Sequence, residues 1–114
     1  MSGEDQILKR LYERFNARDM DALLAMMRPD VVWANGMEGG YVHGRAGVRD
    51  YWTRQWALVD PHVDPIDFST GEDGEIEVEV HQVVRDLKGH VLADKIVGHA
   101  FHIEDGLIRR FDIR

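Results

Sequence analysis

The chain has 114 residues, no cysteine and a formal net charge of −7, and 44% of its residues are hydrophobic. This length suits one domain over residues 1–114, and the lack of cysteine excludes disulfides and thiolate chemistry. The acidic balance argues against nucleic-acid binding, and neither a secretion signal nor an apolar run of about 20 residues occurs, so we expect a cytoplasmic protein with no membrane contact.

The first half of the chain predicts three helices and one strand. Ser2 and Asp5 form a loose capping box, after which apolar residues recur at helical spacing. A second helix is expected over residues 20–27, and Pro29 ends it. A strand over residues 31–35, an ordered glycine-rich loop over 36–44 and a third helix over 45–58 follow.

The second half changes from a helical to an alternating pattern. Strands are expected near residues 66–70, 75–86, 91–104 and 107–114. Lys88-Gly89 and Asp105-Gly106 are turn dipeptides, and the second lies between two alternating segments, which is a strong hairpin signal. Helices first and an antiparallel meander afterwards indicate an α+β domain with its helices on one face of the sheet.

Four segments, taken in order, resemble the SnoaL-like and ketosteroid-isomerase-like branch of the nuclear-transport-factor-two-like superfamily. They are residues 15–19 (FNARD), 28–33 (RPDVVW), 42–48 (VHGRAGV) and 101–108 (FHIEDGLI). The resemblance implies a cone-shaped, cystatin-like α+β fold. Three N-terminal helices pack on a curved, mixed but mostly antiparallel sheet that encloses a pocket. It also implies a small-molecule ligand, no cofactor and a homodimer joined through the sheets.

The same resemblance argues against steroid isomerisation. The position of the carboxylate base in such isomerases matches Asn35, and an amide cannot accept a proton at neutral pH. The position of their tyrosine donor matches Leu11, with Tyr12 next to it but about 100° away around the helix. The second oxyanion donor matches His99. We therefore expect His99 at the centre of any catalytic site and Asn35 as a hydrogen-bond donor to the reacting oxygen.

The last hairpin decides which residue faces His99. If Asp105-Gly106 is a two-residue turn, His99 lies opposite Asp112, and Phe101 lies opposite Arg110. Asp112 could then orient the His99 imidazole as in an acid–base dyad. One bulged residue would reverse this arrangement and bring Phe111 and Ile113 inside instead. Both registers remain open at this point.

Further pocket candidates follow from alternation. A two-residue turn at Lys88-Gly89 places His99 opposite Val78 and Gln82 opposite Lys95, and a bulge would replace Gln82 by His81. The predicted polar points are thus Gln82 or His81, with Arg110 nearby. The predicted aromatic wall comprises Trp33, Tyr51 and Trp52, together with Tyr12 and Phe101. The six histidines show no metal-ligand spacing, so we expect no metal.

Three functions are compatible with this pattern. The first is a cofactor-independent isomerase, cyclase or hydrolase acting on a small apolar substrate through His99. The second is a ligand-binding module without chemistry. The third is a dimerisation domain with a filled core.

Overall fold

The computed structural model describes residues 3–114, which form three α-helices, one turn of 3-10 helix and six strands. The helices are α1 (Gly3–Asn16), α2 (Met20–Ala25) and α3 (Gly44–Leu58), and the short turn is Glu72–Gly74. The predicted capping residue Ser2 lies outside the described residues. None of the helices within residues 3–114 is long and apolar enough to cross a membrane.

The strands form one mixed sheet that does not close into a barrel. In chain order they are β1 (Met27–Ala34), β2 (Tyr41–His43), β3 (Val59–Thr70), β4 (Ile76–Asp86), β5 (Val91–Glu104) and β6 (Leu107–Ile113). Their order in the sheet is β2-β1-β6-β5-β4-β3, and only the pair of β1 and β6 is parallel. The predicted α+β fold is confirmed.

The helices form because their apolar residues fall on one face. In α1 this face buries Leu8, Leu11 and Tyr12. In α3 it buries Tyr51 and Trp52, with Val48 one turn earlier. The helices therefore cover the concave face of the sheet.

Several element boundaries were predicted wrongly. The second helix, expected over residues 20–27, ends at Ala25, and the strand expected over residues 31–35 begins at Met27. The loop expected over residues 36–44 contains the short edge strand β2. The strand expected at residues 66–70 begins at Val59 and therefore includes Pro61 and Pro65. Proline cannot donate a backbone hydrogen bond, but β3 lies at the edge of the sheet, where one side of the strand has no neighbouring strand.

The outer edge of β3 is held by side chains from the end of α1. Asn16 Nδ2 donates to the Val63 carbonyl at 2.8 Å, and the Val63 amide donates to Asn16 Oδ1 at 3.0 Å. Arg18 donates to the Pro61 carbonyl at 2.6 Å. These contacts fix α1 against the sheet and thereby set one wall of the space between them.

The β5–β6 hairpin contains the bulge that decides its inward face. The turn is the predicted one, since Glu104 pairs with Leu107 and Ile103 pairs with Ile108. The register then shifts by one residue, so that His102 pairs with Arg110. The shift sends the apolar side chains of the end of β6 inward and its charged ones outward.

The β4–β5 hairpin has the predicted register near His99, although its turn differs from the predicted two-residue turn. The loop holds three residues, because Asp86 and His90 close it with a 2.8 Å backbone hydrogen bond. A second irregularity beside Val84 restores the pairing, and Val78 then lies opposite His99.

Candidate functional site

A cavity of about 120 Å³ lies between the helices and the concave face of the sheet. Aromatic side chains form much of its wall, among them Trp33, Tyr51, Trp52 and Phe101. Trp33 contacts Trp52 edge to face, with ring centroids 5.2 Å apart. Among the described residues, none of the side chains that line this cavity is charged.

The central polar feature is a hydrogen bond between Tyr12 and His99. The Tyr12 hydroxyl lies 2.8 Å from His99 Nδ1, and the two rings are nearly parallel, at 10°. Burial raises the pKa of Tyr12 far above its ordinary value and lowers the pKa of His99 to about 4. Both groups are therefore neutral at neutral pH.

A neutral pair of this kind has two forms. When Tyr12 donates its proton to Nδ1, the His99 hydrogen sits on Nε2; when Nδ1–H donates to the Tyr12 oxygen, Nε2 has a free lone pair. His99 Nε2 has no hydrogen-bond partner within residues 3–114. The atom is not fully enclosed, because the buried atoms without a partner in these residues do not include it. The cavity can therefore present either a donor or an acceptor at this atom.

A second polar group lies on the helix side of the cavity. The Tyr51 hydroxyl accepts a hydrogen bond from the Gly36 amide at 3.0 Å and contacts Gln55 Nε2 at 3.2 Å. Gln55 Oε1 is enclosed and has no partner among the described residues. Gln55 was not predicted as a site residue, although it lies one turn after Tyr51 on α3 and so shares the inward face of that helix.

The predicted His99–Asp112 dyad is wrong. Because of the β6 bulge, His99 lies opposite Ile113, and Asp112 points to the other face of the sheet. There Asp112 accepts hydrogen bonds from Arg110 Nε at 2.8 Å and from the Tyr41 hydroxyl at 2.5 Å. Arg110 is thus also outside the cavity, and its hydrogen bond lowers the pKa of Asp112.

The predicted position of Asn35 in the site is also wrong. The side chain of Asn35 accepts hydrogen bonds from the amides of Met37 and Glu38, at 3.0 and 2.9 Å. It therefore stabilises the turn that follows β1 and does not line the cavity. Gly36 takes the place in the cavity wall that Asn35 was expected to fill.

Of the two β4 candidates, Gln82 lines the cavity and His81 does not. Gln82 pairs with Lys95, as alternation predicted. His81 points to the opposite face, where its Nε2 lies 2.7 Å from Asp94. No group of three or more metal-ligating side chains within residues 3–114 is arranged to hold an ion.

Comparison of the sequence with models of protein families identifies a match. The model of the SnoaL-like domain matches residues 8–111. None of the curated proteins searched matches the sequence.

Solved structures are similar over nearly the whole chain. The crystal structure of TerC with polyporic acid is 25% identical, with a TM-score of 0.86, and the match covers 99% of this chain and 91% of TerC. An NTF2-like protein of unknown function from Burkholderia pseudomallei is 26% identical, with a TM-score of 0.86 and coverages of 100% and 91%. A proposed polyketide cyclase from Xanthomonas campestris pv. campestris is 25% identical, with a TM-score of 0.76 and coverages of 96% and 87%. The chain therefore belongs to the SnoaL-like family and has the NTF2-like fold.

Proposed function

We propose that the protein is a cofactor-independent isomerase or cyclase that moves protons within a small, mainly apolar substrate bearing a carbonyl group. The observation that carries this proposal is the buried 2.8 Å contact between Tyr12 and His99. The uncharged lining of the cavity suits an apolar molecule, and His99 Nε2 supplies a hydrogen-bonding point for its oxygen or an acidic C–H.

The two forms of the pair allow proton transfer without leaving a charge on the protein. In the form with a free Nε2 lone pair, Nε2 takes a proton from the carbon next to the carbonyl. Nδ1 passes its proton to the Tyr12 oxygen, and Tyr12 gives its own hydroxyl proton to the carbonyl oxygen. The product is an enol, Tyr12 is again a phenol, and His99 carries its proton on Nε2.

Charge neutrality matters because a charged imidazolium is disfavoured in this apolar site, as the lowered pKa of His99 indicates. A relay that exchanges two neutral forms avoids that penalty. The same argument favours an isomerase or cyclase over a hydrolase, because none of the described residues lining the cavity offers a carboxylate to activate water.

Two structural relatives agree with a small-molecule site. TerC was crystallised with polyporic acid, and another relative is a proposed polyketide cyclase. These similarities support a site for an organic substrate.

The test is exchange of the methyl protons of acetophenone in D2O, followed by proton NMR. The native protein should accelerate exchange, and His99→Gln should reduce that acceleration by about 10²-fold or more, the usual contribution of a general acid–base group. His102→Gln is the matched control, because His102 lies on the same strand but contacts Glu75 on the other face. Undiminished exchange in His99→Gln, with the native fold retained, would overturn the proposal.

A second candidate is ligand binding without turnover. It is favoured by the low basicity of His99, since an imidazole with a pKa of about 4 is a weak base. In that case acetophenone should raise the melting temperature of the protein without any proton exchange. Accelerated exchange would exclude this alternative.

We further propose that the protein forms a homodimer through the outer face of the sheet and works in the cytoplasm. Ile96 lies opposite His81 on that face and is 56% exposed. Ile96→Glu should shift the protein from dimer to monomer in light scattering, whereas Leu58→Glu, at the exposed end of α3, should not. A native protein that is monomeric at micromolar concentration would contradict the homodimer.

A further inference from the structure

Gln82 and Lys95 lie side by side on the face of the sheet that carries His99. They are cross-strand partners, and the pairing of Val78 with His99 lies four residues away along β4. Cross-strand partners project to the same side, with their Cβ atoms about 5 Å apart. Four residues is an even number, so the pair shares the inward face with His99.

Both side chains have polar groups available for a ligand. Gln82 is half-buried in the cavity wall. Its side-chain amide makes no hydrogen bond to another described residue and is not completely enclosed by them. Lys95 is exposed beside it, and its ammonium group makes no ion pair within residues 3–114.

The surroundings of the pair favour an anion. The flanking cross-strand pairs on this face are Val80 with Val97 and Val84 with Ala93, all of them uncharged. An amide N–H and an ammonium group can donate together to one carboxylate, and charge-assisted hydrogen bonds are stronger than neutral ones.

The spacing sets the size of the ligand. Four residues of a strand span about 13 Å. This backbone distance, shortened by the reach of the Gln82, Lys95 and His99 side chains, suits a molecule whose two polar groups are para on one aromatic ring. The cavity volume of about 120 Å³ is below the roughly 150 Å³ of a cavity that holds benzene, so no more than one ring can enter it and the carboxylate has to stay at the mouth.

We propose that the substrate is an aryl keto acid of one ring, whose carboxylate is bound by Gln82 and Lys95 at the mouth while its carbonyl group reaches the Tyr12–His99 pair. This inference rests on the proposed function only for the role of the carbonyl. The carboxylate site is a binding property and can be tested without turnover.

The probes are 4-acetylbenzoate and its neutral isostere 4-acetylbenzamide, with binding followed by protein NMR. The native protein should bind the carboxylate about fivefold more tightly than the amide at low salt, as an exposed ion pair allows. Lys95→Met should remove this preference, and Gln82→Leu should weaken binding of both probes. Added salt should reduce the preference because exposed charges are screened.

The control is Lys88→Met, which makes the same charge change in the β4–β5 turn and should leave the preference intact. Equal affinity of the native protein for the two probes, or an equal loss in Lys88→Met, would overturn the proposal. So would the failure of both probes to bind. A preference for the carboxylate in a protein that does not exchange acetophenone protons would support this site while contradicting the proposed enzyme.

Discussion

Lowering the pH from 7 to 4 should destabilise the native protein by on the order of 3 kcal/mol through His99 alone. The unfolded imidazole has a pKa of 6.5, and burial lowers the folded pKa to about 4. Above pH 6.5 both states are neutral and His99 contributes no pH dependence. Between pH 6.5 and 4 only the unfolded chain gains the proton, so stability falls as the pH falls.

Urea unfolding at pH 7, 6, 5 and 4.5 would measure this slope. His99→Gln keeps an amide that can pair with Tyr12 and retains the other five histidines, so its stability curve should be flatter over the same window. Carboxyls such as Asp112, whose pKa is lowered by Arg110, lose their contribution only at more acidic pH. Parallel curves for the two proteins would show that His99 is not buried in its neutral form.

Trp52→Ala should lower the free energy of unfolding by about 3–5 kcal/mol, the usual range for a buried tryptophan. Trp52 is 2% exposed and packs edge to face against Phe15 and Trp33, with centroids 5.6 and 5.2 Å apart. It also stacks on Trp56. Its removal opens a void that the rigid aromatic neighbours can fill only in part. A loss of this size is a large fraction of the stability of a small domain.

Trp56→Ala is the comparison, because this substitution removes the same kind of side chain from a half-buried position. Its effect should be clearly smaller in the same urea experiment. Equal losses in the two variants would mean that Trp52 does not lie at the centre of the aromatic cluster.

The sequence predicted the fold because periodicity and turn dipeptides agree with each other throughout the chain. The final register was harder to predict. Asp105-Gly106 identified the turn correctly, but a bulge two pairs away cannot be seen in local turn chemistry. Burial offered a better guide: Phe111 gains from entering the apolar cavity, and Ile113 lines it while staying partly exposed, whereas Arg110 and Asp112 satisfy each other outside it.

The site was predicted in part for similar reasons. His99 and Gln82 followed from strand alternation, and the aromatic wall followed from strand alternation together with helical spacing. The structure brings these side chains together; their roles in binding or chemistry remain predictions. The Tyr12 contact depends on the rotation of α1 against the sheet, which spacing along one helix does not define. Asn35 is followed by Gly36, and this dipeptide favours a turn, so its sequence context already pointed to a structural role.

The contacts of Asn16 and Arg18 with β3 also bear on solubility. An edge strand exposes unpaired backbone groups on which another chain can add a strand, the first step of sheet-to-sheet aggregation. Here the amide of Asn16 occupies the outward N–H and carbonyl of Val63, and Arg18 occupies the carbonyl of Pro61. Pro61 and Pro65 offer no N–H at all. The side chains that anchor the first helix, together with the two prolines, thus protect the first half of this edge, through Pro65, against the addition of another strand.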